Sequence, residues 1–284
     1  MTFSVVACDL IADPPEWGVA VASKFPAVGA VVPWARAGAG AVATQAFANV
    51  AYGPEGLGAL AKGRSATEVI ELLTGADVGS ADRQIGVVDA KGATSTFTGE
   101  GCFDWAGGVT GPLHCCQGNI LVGPEVVEAM SRAFLDTEGE LAERLLAALV
   151  AGDAAGGDKR GRQSAALLVV REGGGYGGGT DKTVDLRVDD HTDPVSELGR
   201  LLGVHRVVFP RPEDLRFLPI DDELRGELAT LLEGAGYPVD PGAPDSLRRA
   251  LEAYSGTENL EERLPEDRGA IEQGIIDHLR ARKR

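Results

Sequence analysis

The chain has 284 residues, 44% of them hydrophobic and only 5% aromatic, and a formal net charge of −16. That length and apolar content suffice for one large core and a smaller second one. The charge excludes a nucleic-acid surface, which needs clustered Lys and Arg to neutralise phosphates, and the single basic run, Arg280-Ala281-Arg282-Lys283-Arg284, reads as a solvated helix end.

Thr2-Phe3-Ser4-Val5-Val6-Ala7-Cys8-Asp9 alternates small polar with apolar residues, the period-two signature of a half-buried strand. A methionine followed by a residue as small as threonine is normally trimmed, so a mature chain beginning at Thr2 is expected. One residue would then carry both a hydroxyl and a free α-amine, whose ordinary pKa near ~7.7–8.0 lets it accept the hydroxyl proton without a histidine. The other reading is an ordinary buried strand.

Turn chemistry at Asp13-Pro14-Pro15-Glu16 leads into an antiparallel second strand, Trp17 to Lys24; a third is expected near Ala30-Val31-Val32-Pro33 and a fourth at Ala41 to Gln45. Gly53-Pro54-Glu55 opens a helix stopped by Gly63, and Ser65-Ala66-Thr67-Glu68 matches a capping box for the next. Arg83–Asp89 and Ala93–Thr98 form a hairpin, and a further strand covers His114 to Leu121. Helices follow at 125–135 and 138–151, then an apolar strand Ala165–Val170 and its alternating partner Val184–Asp189. The Gly173–Gly179 loop between these strands has no following helix and no Gly-Lys-Ser/Thr ending, which makes it a hairpin loop and not a phosphate cradle. Asp193-Pro194 caps a helix to about Leu202.

From Val208 to Pro219, prolines among charges read as a linker. Asp221–Gly234, Asp245–Tyr254 and Gly269–Arg282 then carry leucine and isoleucine at helical spacing. The division expected is 1–207, a linker 208–219, and a small all-α module 220–284. Cys8, Cys102, Cys115 and Cys116 are too few and too irregular for a disulfide scaffold, and neighbours Cys115 and Cys116 on a strand point to opposite faces, so no metal site is expected. No basic-then-apolar leader opens the chain and no apolar run reaches the ~18–20 residues of a membrane span, so a cytoplasmic protein without a membrane partner is expected.

The order strands, helix pair, strands, helix pair, strands suggests an α+β, four-layer αββα sandwich. Thr2-Phe3-Ser4-Val5-Val6-Ala7, Gly18 to Ser23, Ala27 to Pro33, Gly40 to Gln45, Gln117-Gly118-Asn119, Gly161 to Ala166 and Val188 to Pro194 resemble the uncharacterised DUF1028 family, placed among the N-terminal-nucleophile hydrolase-like folds. Leu247 to Leu251 and Glu258 to Arg263 are similar to the peptidoglycan-binding-like helical domain often fused to it. The resemblance implies a fold, not a substrate.

If Thr2 attacks a carbonyl, a nearby cation would hold its amine neutral. Lys24 is the candidate, since N-terminal-nucleophile hydrolases often keep a basic residue there; the alternative is a solvent-facing lysine. Ser4 shares the strand face of Thr2 and could orient substrate or replace it. Asn119 first and Gln45 second are candidate oxyanion donors, or turn and strand-end residues bonded to backbone. Ser164, Asp9 and Arg162 are candidate substrate contacts, with Arg160 beside Arg162 suited to a carboxylate. Asp189-Asp190-His191 offers a carboxylate and an imidazole for a metal or acid/base site, with Asp189 and His191 as candidate substrate contacts, or simply a structural turn before a capped helix. The leading expectation is a cofactor-free amide hydrolase with Thr2 as nucleophile and base, acting on a small amide or a muropeptide-like molecule. The alternative is a non-catalytic ligand-binding or scaffold protein whose helical module binds a partner or cell-wall fragment, or makes a homo-oligomer.

Overall fold

A computed structural model describes residues 2–210 and 214–282. It divides into two compact units, Met1–Leu201 and Leu202–Arg284.

In the first unit, β1 (Thr2–Asp9) is central to a six-stranded sheet. It pairs antiparallel with β2 (Glu16–Ser23) on one side and β8 (His114–Asn119) on the other, so Phe3 lies opposite Ala22 and Thr2 opposite Asn119. The sheet is completed by β9 (Ser164–Arg171) and β10 (Lys182–Val188) beyond β2, and by β7 (Gly107–Gly111) beyond β8. A second, four-stranded sheet runs β3 (Pro33–Arg36), β4 (Gly40–Ala46), β5 (Arg83–Asp89) and β6 (Thr94–Thr98).

The two sheets pack face to face. Val6, Cys8, Val19, Val21, Ala41, Ala43, Val88 and Cys115 interlock between them, and their small size brings the layers close. Helices α1 (Tyr52–Leu60) and α2 (Ala66–Ala76) cover the smaller sheet, burying Leu60, Val69 and Leu73 against Val42, Ile85 and Val87. On the larger sheet lie α3 (Glu125–Asp136) and α4 (Leu141–Ala154), where Phe3 meets the backbone near Gly152 and Gly157. The four layers are therefore αββα. The capping box forms as the sequence indicates: Ser65 Oγ accepts from Glu68 N, and the Glu68 carboxylate accepts from Ser65 N.

Three local expectations change. β1 is buried on both faces, because its Phe3, Val5 and Ala7 side meets helices and its Ser4 and Val6 side meets the other sheet. Residues 28–30 form a 3₁₀ turn, and the strand begins only at Pro33, after Ala27 has taken a positive φ of 49°. β7 was not expected at all.

Helix α5 (Pro194–Val208) runs six residues past the expected Leu202. Among the described residues of the second unit, β11 (Phe217–Pro219) lies inside the expected linker and pairs antiparallel with β12 (Ala270–Glu272), which takes the first turn expected for the last helix. Helices α6 (Asp222–Gly234), α7 (Ser246–Glu258) and α8 (Gln273–Arg282) bury Leu228, Leu232, Leu251, Tyr254, Ile275 and Leu279 in one core. Glu272, 3% exposed along its side chain, is held there by Arg263 at 2.8 Å, and the same guanidinium donates to the Arg206 and Val207 carbonyls. The remainder of the expected linker, residues 211–213, lies outside the described residues.

Candidate active site

The inward faces of β1, β4, β5 and β8 carry polar side chains at one end of an otherwise apolar layer. Ser4 Oγ donates to Gln45 Oε1 at 2.7 Å and accepts from Gln117 Nε2 at 2.7 Å. Gln45 Nε2 and Asn119 Nδ2 both donate to Gln84 Oε1 at 2.8 Å, and Gln84 Nε2 donates to the Gly118 carbonyl at 2.7 Å. Every member is buried, so each bond strengthens in the low local dielectric and each loss would expose an orphaned dipole. Gln117 Oε1 is the exception, buried and without a partner. Gly86 makes the network possible: a Cβ there would sit 2.2 Å from Gln117 Oε1.

Thr2 stands at the edge of this network. Its hydroxyl lies 3.1 Å from the Ser23 hydroxyl, and it is 5% exposed. It lines a cavity of about 400 Å³ together with Gln45, Phe25, Val28, Val31, Val32, Phe47 and Arg83. A neighbouring cavity of about 200 Å³ shares Ala46 and Phe47 with the first and is lined by Asn119, Ile120, Cys102, Phe103 and Arg160. A third, of about 440 Å³, reaches Ser23 and is lined by Phe3, Asp153, Asp158, Arg162 and Thr192. Ala46 and Ile120 hold positive φ angles of 67° and 51°, a left-handed conformation costly for residues with a Cβ and often concentrated at working sites.

The cation on the Thr2 cavity is Arg83. Its Nε donates to Asp77 Oδ2 at 2.9 Å and its Nη1 to the Phe47 carbonyl at 2.6 Å. Asp77 also accepts from Gly79 N, Asn49 Nδ2 and Tyr52 Oη; led by the Arg83 bond, these hold its carboxyl well below the usual range. Burial, with the Asp77 bond next, pushes the Tyr52 phenol up.

Of the residues singled out from sequence, Thr2, Ser4, Gln45 and Asn119 come together. Asn119 is the last residue of β8, facing Thr2 in register, and not part of a turn. Lys24 follows β2 with its side chain exposed, and its Nζ donates to the Arg162 carbonyl at 3.3 Å. Ser164 Oγ donates to the Phe25 carbonyl and accepts from Val28 N, fastening the 3₁₀ turn. Asp9 caps Ile11 and Ala12 at the far end of β1. Arg162 pairs with Asp153 at 2.7 Å on the third cavity. Asp189 pairs with Arg187, and His191 Nδ1 accepts from Asp193 N in the turn before α5. Arg160 pairs with the buried Asp158 at 3.3 Å.

Sequence reasoning missed Ser23, Gln84, Gln117 and Arg83 as neighbours of Thr2. The available signal was the same at three of them: an amide or hydroxyl at an inward position of a strand whose flanks are apolar. Cys8 and Cys115 thiols are each pushed up to about 12 by burial, and Cys116 well above its ordinary value, so these buried thiols are not thiolate nucleophiles. Among the described residues, no group of three or more His, Cys, Asp or Glu side chains could hold a metal ion. No helix among them is long and apolar enough to cross a membrane.

A family model described as "Family of unknown function (DUF1028)" matches residues 2–198, and one described as "Putative peptidoglycan binding domain" matches residues 208–279. Among solved structures, the crystal structure of protein SPO2555 from Silicibacter pomeroyi, a DUF1028 protein, is 32% identical and superimposes with a TM-score of 0.66 over 72% of this chain and 86% of that one. No curated protein matches the chain.

Proposed function

The chain belongs to the DUF1028 family, with a peptidoglycan-binding-like domain behind it, and from that premise we propose that its sandwich unit is an amide (C–N) hydrolase whose Thr2, freed of Met1, is nucleophile and base in one. The observation that carries this reading is the Thr2 hydroxyl: nearly buried, paired with the Ser23 hydroxyl at 3.1 Å, and on the wall of a cavity of about 400 Å³. A substrate carbonyl in that cavity would meet an oxygen whose proton the neighbouring α-amine can take.

The reaction then runs in two halves. Thr2 Oγ1 bonds to the carbonyl carbon, the C–N bond breaks, and the proton held by the α-amine leaves with the departing amine. Water next splits the threonyl ester, again through the α-amine, returning the hydroxyl and releasing the acid. Asn119 is assigned the oxyanion: one Nδ2 hydrogen is spent on Gln84, leaving the second for the developing charge. Ser4 fixes the amides that flank Thr2. The cation that disfavours a charged α-amine is assigned to Arg83, which lines the cavity, in place of Lys24.

A second reading is a binding protein on the same fold. It is favoured by one observation, that the side-chain amides around Thr2 are spent largely on one another. In either reading the second unit recruits a muropeptide-like cell-wall fragment or another partner, and four free thiols favour a reducing compartment such as the cytoplasm. Amide hydrolysis by the full chain, present in the wild type and lost in Thr2→Ala with an unchanged melting temperature, supports the enzyme. Equal rates in the two proteins refute it.

A further inference from the structure

Of eight phenylalanines in the chain, three stand exposed around the two adjoining cavities beside Thr2: Phe25 is 49% exposed, Phe47 59% and Phe103 61%. In a protein so poor in aromatics, large apolar side chains grouped in solvent at a concave site need a partner to cover them. Phe47 stands on the wall shared by the two cavities and meets Phe103 edge-on, ring centroids 6.2 Å apart. The walls of the Thr2 cavity continue the apolar surface inward through Val28, Val31 and Val32.

Two guanidiniums line the paired cavities, Arg160 on the smaller one and Arg83 on the one that holds Thr2. Arg83 spends two of its five N–H donors, on Asp77 and on the Phe47 carbonyl, so the rest of its fork remains for a planar anion. Asp77 balances the charge of this guanidinium, so a bound carboxylate would be held by the N–H donors that remain on the fork and not by a net positive charge. An apolar concavity with a few convergent polar groups is the general form of a small-molecule site.

We infer that the paired cavities take an amide with an apolar acyl group, covered by Phe47 and its neighbours, and a carboxylate on the amine side held by Arg83: an N-acyl amino acid. The inference rests on the hydrolase reading for its orientation, since Thr2 and Gln45 line the same cavity as the apolar wall and the guanidinium.

The test separates binding from chemistry. Full-length Thr2→Ala protein is titrated calorimetrically with N-octanoylglycine, N-octanoylglycinamide and N-acetylglycine. The acid is expected to bind at least fivefold more tightly than either analogue, because one lacks the carboxylate and the other the apolar chain. A smaller ratio in either comparison, or no binding, overturns the assignment. In Arg83→Gln the acid-to-amide ratio falls toward one; if loss of Arg83 unfolds the protein, the double variant Asp77→Asn/Arg83→Gln, which leaves no unpaired charge, carries the same comparison. An unchanged ratio in either folded variant overturns the role of Arg83. Selective binding without hydrolysis by the wild type would sink the hydrolase reading and leave the pocket standing, whereas hydrolysis of other amides without this selectivity would do the reverse.

Discussion

The hydroxyls of Thr2 and Ser23 meet at 3.1 Å across two neighbouring strands, and each lines a different cavity. The register that pairs Phe3 with Ala22 sets this contact, so Ser23 can orient the Thr2 oxygen but cannot replace it on the Thr2 cavity. Ser23→Ala is expected to lower kcat by up to ~10²-fold through lost positioning, with KM nearly unchanged. Thr2→Ser should retain activity and Thr2→Ala lose it. Steady-state kinetics on an N-acyl amino acid check all three.

The amide network should be expensive to break at either of two points. Ser4→Ala leaves Gln45 Oε1 and Gln117 Nε2 without their shared partner, at about 1–3 kcal/mol for each group orphaned in the core. Gly86→Ala drives a methyl into Gln117, at about 1–3 kcal/mol for the overpacking. Urea unfolding measures both, as lower midpoints without a change of slope.

Two groups should give acid sensitivity in separate windows. Burial holds the His114 pKa below its ordinary 6.5, so the unfolded chain takes up the proton first. Its contribution is complete above that value and is lost as pH falls through it. Asp77 is depressed instead, chiefly by Arg83, so its contribution is complete above the ordinary 3.8 and fades only below it. Denaturation midpoints should therefore decline once as pH falls below about 6.5 and again as it falls below about 3.8. His114→Gln should flatten the first decline alone.

In the second unit, Arg263→Met would leave the Glu272 carboxylate buried without its cation. Removing one partner of such a pair costs about 3–5 kcal/mol, whereas replacing both by apolar residues is far milder. Thermal melts of Arg263→Met and of Arg263→Met/Glu272→Leu should show the double variant as the more stable.

Much of the scaffold was readable because it repeats a local signal. β1, β2, β5 and β6 announce themselves by alternation, and α2 by its Ser65–Glu68 box. β7 does not, since Gly107-Gly108-Val109-Thr110-Gly111 has no period and is a strand only through its pairing with β8. The candidate site divides the same way. Ser4 follows from the face of Thr2, but Arg83 enters the cavity through the pairing of β4 with β5, and Ser23 meets Thr2 through a register that no local pattern encodes.

The central claim is that Thr2 works with a free amine, and one measurement bears on it most directly: intact-protein and peptide mass spectrometry of the full chain after treatment with a β-lactone, an electrophile for activated hydroxyls. The account predicts a chain without Met1 carrying one acyl adduct, mapped to the peptide that begins at Thr2. A chain that keeps Met1, or one that loses it and gains no adduct at Thr2, would contradict it.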